Sequence, residues 1–399
     1  MNTLNITPAM QQYYEIKSQY KDSILFFRMG DFYEMFEEDA KIAHKILGIT
    51  LTSRNKNAEN PVLLAGIPYH AKEKYLPLLV DAGYKVAIAE QVSDPKLKGI
   101  VKREVVRVIT PGTLWLEGES YESYQKNAVI VSLVTDGTSY WLASINLSNH
   151  TFCCSEFSNF ESCAGELYKI SPSEVILEKN LLWDTKLHEI LSKKYGLNIF
   201  YFTFSQNAYT YLTQRFWVKN LEWFWIEEKI FAQKASAQIL QYLSENQKSD
   251  LNFITKLSYE SYSGFLDLDE ATIRSLDLIY NIATKSPREG TLFWILDETR
   301  TSMWKRFLRE QILHPLQDIE QIEKRQNYIS AFLSDTILLE KIRTQLNYIS
   351  DIDAILTRLS LERAGPRDLL ALKKSLIAIR EVIQIIESSQ NTVLKNLIN

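Results

Sequence analysis

The chain has 399 residues, 46% hydrophobic and 24% charged, with a net charge of −4 at neutral pH. Those proportions exclude a disordered chain, and the acidic balance lacks the overall basic signature of many nucleic-acid binders. No apolar run reaches the ~18 residues of a membrane span and no secretory pattern opens the sequence, so a cytoplasmic protein of about two to four domains is expected.

AMQQYYEIKSQYK (9–21) reads as a helix and ILFFR (24–28) as a strand. RMGDFYEMF (28–36) then offers two readings. Asp31 as N-cap with Glu34 three residues on makes a capping box, and the local sequence favours it; a helix over 33–47 would then align Tyr33, Phe36, Ala40, Ala43 and Leu47 on one face. That leaves Phe32 exposed for no local reason. In an extended segment Phe32 and Glu34 instead point the same way, whereas in a helix they diverge by about 200°. ITLTS and VLLAGIP read as strands, 71–82 as a helix made uncertain by Pro77, and KVAIAEQV and EVVRVIT as strands ended by Pro111-Gly112. Within 85–107, Lys85, Lys96, Lys98, Lys102, Arg103 and Arg107 outnumber the acids, which fits a solvated face or, less strongly, a phosphate-facing strip.

LEGESYESYQKN (116–127) reads as a linker. AVIVSLV, SYWLASINL and TFCCSEF predict three strands at hairpin spacing, followed by alternating helices and strands (EVILE, NIFYFT), an order that fits a ribonuclease-H-like domain. From about residue 265 apolar residues recur every three or four positions, as in ATIRSLDLIYNIA, TSMWKRFLREQI and DAILTRLSL, so an all-helical part broken at Pro315 and Gly365-Pro366 is expected. The last amphipathic pattern stops without a cap, as a cut end would. The expected fold class is multidomain α/β plus all-α: mixed α/β over 1–115, linker 116–127, ribonuclease-H-like α/β over 128–250 and an incomplete helical part over 260–399.

Cys153, Cys154 and Cys163 have neither metal nor disulfide spacing and are expected reduced and buried, and the five histidines form no ligand pair, so no metal is predicted. His70 is expected to be structural. None of the thirteen glycines starts a GxxxxGK[ST] or GxGxxG turn, and no nucleophile elbow occurs, so no catalytic residue is expected. A two-metal nuclease would need clustered carboxylates, yet the second-domain strands offer Asn146 and mostly apolar residues.

The run TPAMQQYYEIKSQYKDSILFFRMGDFYEMFEEDAKIAHKILGITLTSR (7–54) resembles the start of the MutS family of DNA mismatch-recognition proteins, as do LLAGIPYHA (63–71), EQVSDPKLKGIVKREVVRVITPGT (90–113), LDEATIRSLDL (268–278) and ERAGPRDL (362–369). The resemblance implies a mismatch-binding domain, a connector and a helical core, truncated before the clamp and the P-loop ATPase. It implies that Phe32 stacks on a mispaired base and Glu34 hydrogen-bonds to it, with Arg54 and Arg103 near the DNA. A ring wedged between base steps costs a few kcal/mol of unstacking, less at a loosened mispair, so discrimination would come from deformability. The implied partner is double-stranded DNA with mismatches or small loops. The full-length family is a homodimeric DNA-dependent ATPase that binds ATP and Mg, works with a MutL-type repair partner and acts in the cytoplasm at the nucleoid. No cofactor and no ATP hydrolysis are expected of this chain.

The chain departs from the family pattern at Trp304, where glycine is usual, at Gln311, where tryptophan is usual, and at Asn146, where aspartate is usual. The first two lie seven apart on one helix face, which suggests that the Trp304 ring fills volume left at Gln311. A rival to the sensor is a truncated paralogue that serves as a protein-interaction module without mismatch sensing.

Overall fold

A computed structural model describes residues 7–54, 61–92, 101–114, 128–248, 251–284, 286, 289–360 and 364–398; the expected linker 116–127 lies outside them. Helix α1 (Pro8–Gln19) leads into strand β1 (Ser23–Met29). The next residues do not begin a helix. Gly30, at φ +57°, and Asp31 form a two-residue hairpin loop, and β2 (Phe32–Phe36) returns antiparallel with Phe32 opposite Met29. A left-handed first loop residue matches the twist of the flanking strands, which calls for glycine there. The capping box is therefore absent. Helix α2 (Glu37–Leu47) starts after Phe36, with Glu37, Glu38 and Asp39 at its positive end, and Tyr33 and Phe36 bury from a strand instead.

By contacts the chain divides into two units: residues 1–132, 172–206 and 237–251, and residues 133–171, 207–236 and 252–399. The first unit holds a six-stranded sheet, to which β3 (Thr52–Arg54), β4 (Val62–Pro68), β5 (Lys85–Gln91) and β6 (Arg103–Ile109) contribute. Its order is β3-β4-β2-β1-β5-β6, with only β1 and β5 parallel. One face packs Leu25, Phe27 and Phe36 against Met10 and Tyr13 of α1. The other packs Ile24, Phe26, Tyr33, Met35 and Ile67 against α2 and helix α3 (Lys72–Asp81). Asp39 ties the layers together, accepting from the Leu25 N–H at 3.0 Å, Lys17 Nζ at 2.8 Å and the Tyr13 hydroxyl at 3.3 Å. Helix α3 runs through Pro77, whose ring nitrogen cannot donate to the carbonyl one turn back in the exposed first turn.

The same unit pairs Glu174–Leu177 in parallel with Asn198–Tyr201. Glu174 is fully buried and accepts from Thr110 Oγ1 at 3.0 Å; burial pushes its carboxyl up to about 7 against the pull of Lys85 and Thr110. Lys85 faces no phosphate. It is buried beside the Phe200 and Tyr242 rings and pairs with Asp22 at 3.2 Å, a partner that a local charge count cannot see. Lys96 and Lys98 of the supposed strip lie outside the described residues. The turn after β6 is tightly seated, since a Cβ on Gly112 would lie 2.3 and 2.7 Å from Ile130 side-chain atoms and 3.2 Å from the Glu174 carboxyl carbon. Gly112→Ala should lower stability by about 2 kcal/mol, read as an earlier urea midpoint, and Ile130→Val in the same chain should recover part of the loss.

In the second unit, Tyr140–Asn146 pairs antiparallel with Thr151–Phe157, which carries Ser258–Tyr259 in parallel. Helices Ile319–Ser334, Thr336–Leu346, Pro366–Ser388 and Thr392–Lys395 bury Ala331, Leu338, Ile342, Ile386 and Leu394 together. The helix Phe160–Ile170 meets Ser302–Leu313 and its C-cap His314 through charges. His314 Nε2 lies 3.0 Å from Glu166 and its Nδ1 3.3 Å from Glu310, while Lys169 Nζ lies 3.5 Å from Glu166. Glu166, Lys169 and His314 are all buried, and Arg309 donates to the Lys169 carbonyl at 2.9 Å.

Several expectations are corrected here. The helix expected over 271–283 ends at Ser275, because Asp277 turns left-handed at φ +46° and its carboxylate accepts from the Ile282 N–H. Trp304 is half-exposed and meets Phe307 edge-on at 5.4 Å, about 10 Å along the axis from Gln311, so it fills no volume there. The cysteines are free, but Cys153 is only partly buried. His70 is exposed, edge-on to Tyr69, rather than a core histidine. No helix among the described residues is long and apolar enough to cross a membrane.

Candidate nucleic-acid interface

The loop end of the β1–β2 hairpin gathers the candidate residues. Because side chains alternate along a strand, Phe32, Glu34 and Phe36 share the face covered by α1, while Tyr33 and Met35 face the other core. Cover runs out toward the hairpin loop. Phe36 is buried, Glu34 is half-buried and Phe32 is 48% exposed, a ring standing in solvent from a strand hydrogen-bonded on both sides, to β1 and β4. Gly66 lies opposite Glu34 on β4. A Cβ there would come within 3.9 Å of Glu34 Cγ and 4.0 Å of Phe32 Cδ1, so glycine keeps the surface beside the pair low.

Arg103 enters the same neighbourhood from β6. Its guanidinium lies over the Phe27 ring at 5.0 Å, donates from Nε to the Arg28 carbonyl at 2.6 Å and from Nη1 to the Val101 carbonyl at 3.0 Å. Burial pulls its pKa below the ordinary arginine value, and the negative Glu34 opposes that pull. Arg103 thus supplies local positive charge to Glu34 while two backbone carbonyls hold its guanidinium in place. Arg54 ends β3, the outermost strand beside β4; its side chain lies outside the described residues.

Residues not singled out by sequence pattern form a second group at the same loop end, on the Tyr33 face of the sheet. Arg28 lies with its guanidinium 3.7 Å from the Tyr69 ring centroid and 3.9 Å from Glu90, and the Tyr33 hydroxyl also donates to Glu90. The Tyr69 N–H donates to the Asp31 carbonyl at 2.9 Å, closing the short helical turn Tyr69–Ala71 onto the hairpin loop. Tyr69 and His70 are exposed there, edge-on to each other. The signal in the sequence was the Gly-Asp pair between two apolar runs, which specifies the hairpin and so the alternation. Chemically the α1 side of the loop end offers an aromatic wedge, an acceptor beside it and the Arg103 guanidinium, a set suited to entering a minor groove and touching a base edge.

The sequence matches the family descriptions MutS domain I over residues 7–118, MutS domain II over 128–255 and MutS domain III over 271–399. It is 38% identical over 394 residues to the DNA mismatch repair protein MutS of Streptococcus pneumoniae serotype 19F, covering 98% of this chain and 44% of that protein. DNA mismatch repair protein HexA of Streptococcus pneumoniae serotype 4 matches to the same extent, 38% over 394 residues, with the same shares of the two chains, 98% and 44%. The MutS of Streptococcus gordonii is 37% identical over 399 residues, 100% of this chain and 45% of that protein. The chain thus spans under half the length of the curated relatives it matches. With three successive domains of one family matched in chain order, the chain belongs to the MutS family.

Proposed function

We propose that this chain senses mispaired or looped duplex DNA in mismatch repair, with Phe32 wedging into the minor groove and Glu34 accepting a hydrogen bond from a base edge. The observation that carries it is a half-exposed ring on a doubly paired strand with a carboxylate on the same face two residues on. A paired step resists unstacking by a few kcal/mol; a mispair resists less, so the same ring enters it at lower cost. Glu34 adds selectivity, because its charge repels the phosphates of ordinary duplex unless a base edge supplies a donor. The domains 1–115, 128–250 and 260–399 serve as mismatch binder, connector and helical core. The whole protein would be a homodimeric ATPase working with a MutL-type partner at the nucleoid. No glycine in this chain starts a GxxxxGK[ST] or GxGxxG turn.

The test is equilibrium binding to a G·T duplex and its paired counterpart at one stated salt concentration, since affinity without salt carries no meaning. The wild-type chain should prefer G·T. Glu34→Gln should tighten paired-duplex binding by about fivefold and narrow the preference, as removal of one repulsive charge does. Equal affinity of the wild-type chain for both duplexes would instead favour a protein-interaction module.

A further inference from the structure

Arg28, the penultimate residue of β1, is an arginine at the loop end that lies on the other face of the sheet from Phe32 and Glu34. Alternation along the strand sends its side chain to the Tyr33 side. Only 17% of that side chain is exposed, little for a residue beside a hairpin loop. Its Nε donates to the Gly30 carbonyl, Nη1 lies 3.9 Å from Glu90, and the guanidinium lies 3.7 Å from the Tyr69 ring centroid and 5.7 Å from that of Tyr33.

Both loop residues are thereby held from outside the strand ladder. The Gly30 carbonyl accepts from Arg28, the Asp31 carbonyl accepts from the Tyr69 N–H at 2.9 Å, and the Arg28–Tyr69 stack joins the two donors. Arg103 Nε donates to the Arg28 carbonyl at 2.6 Å and fixes the same strand end. An exposed loop tip without such ties opens locally at small cost in free energy. Phe32 follows that tip directly, so a loose loop means a loose ring. One rigid group supplies a flat face for the ring, an Nε–H for the loop carbonyl and an end for the carboxylate, whereas an ammonium on a flexible stem cannot supply all three.

We propose that Arg28 is a positioning residue for mismatch sensing, which clasps the Gly30-Asp31 loop to Tyr69 so that Phe32 meets the duplex already ordered. The inference rests on the wedge role proposed for Phe32 and adds the group that holds the wedge still. A preorganised contact binds more tightly because its ordering precedes the encounter. The usual role of an arginine beside DNA is phosphate contact, which strengthens binding to paired and mispaired duplex alike and steepens the salt dependence. A positioning residue changes binding to the mispair alone.

The test is equilibrium binding of the chain to a G·T duplex and its paired counterpart over a series of salt concentrations. Arg28→Lys keeps the charge and loses the clasp, so it should weaken G·T binding about fivefold and leave paired-duplex affinity and its salt slope unchanged. Tyr69→Phe keeps the ring face and should keep the wild-type preference. Tyr69→Leu should match Arg28→Lys, and the double variant should be no worse than either single change. Hydrogen exchange at the Tyr69 amide should quicken about tenfold in Arg28→Lys while that of buried Leu25 stays protected, which separates loop loosening from unfolding. Full G·T preference in Arg28→Lys, equal losses on both duplexes, or an unchanged Tyr69 amide beside a lost preference would each overturn the clasp and leave the Phe32 reading standing. A wild-type chain without preference would overturn both.

Discussion

Glu166→Ala is expected to destabilise the second unit by about 3–5 kcal/mol, lowering Tm by roughly 10 °C, which is the effect of removing one partner of a buried ion pair in a unit of this size. The loss exceeds that of a surface ion pair because Lys169 stays buried without its carboxylate and His314 keeps only Glu310, and returning them to water requires opening the contact between Phe160–Ile170 and Ser302–Leu313. The cluster also carries a pH signature. Burial would lower the His314 pKa, but its N–H hydrogen bonds to the Glu166 and Glu310 carboxylates outweigh it and raise it from 6.5 to about 9. A group whose folded pKa is raised stabilises most when protonated in both states, so this contribution is complete below pH 6.5 and is lost as pH rises through about 9. Thermal melts across that window should show a falling Tm for the wild-type chain and a flatter profile for His314→Gln. Parallel profiles would mean that His314 does not titrate with folding.

The second large effect concerns binding. Phe32→Ala should erase the preference for G·T over paired duplex, a loss of about tenfold to a hundredfold in discrimination, while leaving Tm within a degree or so of wild type. The two halves of this expectation separate function from structure. Phe32 is 48% exposed, and its neighbours Tyr33, Met35 and Phe36 hold the core, so truncating it removes little buried area. Retained preference in Phe32→Ala would show that the ring is not the wedge, and a large fall in Tm would show that it packs within the fold.

How much of this was readable in the chain depends on how far apart the interacting residues lie. ILFFR and VLLAGIP were legible as strands because alternation and apolar runs are local, and Ala40 and Ala43 fell on the buried face of α2 as their spacing required. FYEMF imitates a helix start because Asp31 and Glu34 have capping-box spacing, whereas the Gly30-Asp31 turn beside them makes it a strand. Lys85 looked like a surface cation because Asp22 and Glu174 are remote in sequence. His314 and Glu166 likewise meet across 148 positions of sequence, and no periodicity connects them. For the candidate interface, family motifs pointed to Phe32 and Glu34, but Gly66 and the Arg28–Tyr69 contact needed the sheet register to emerge.

The position of β2 inside its sheet has a mechanical consequence. With β1 on one side and β4 on the other, the root of the Phe32 side chain cannot recoil when pressed. In the proposed encounter the protein therefore behaves as a hard indenter and the duplex as the yielding specimen. The measured quantity becomes local softness, a property common to many lesions of unlike chemistry, and one stylus suffices for all of them.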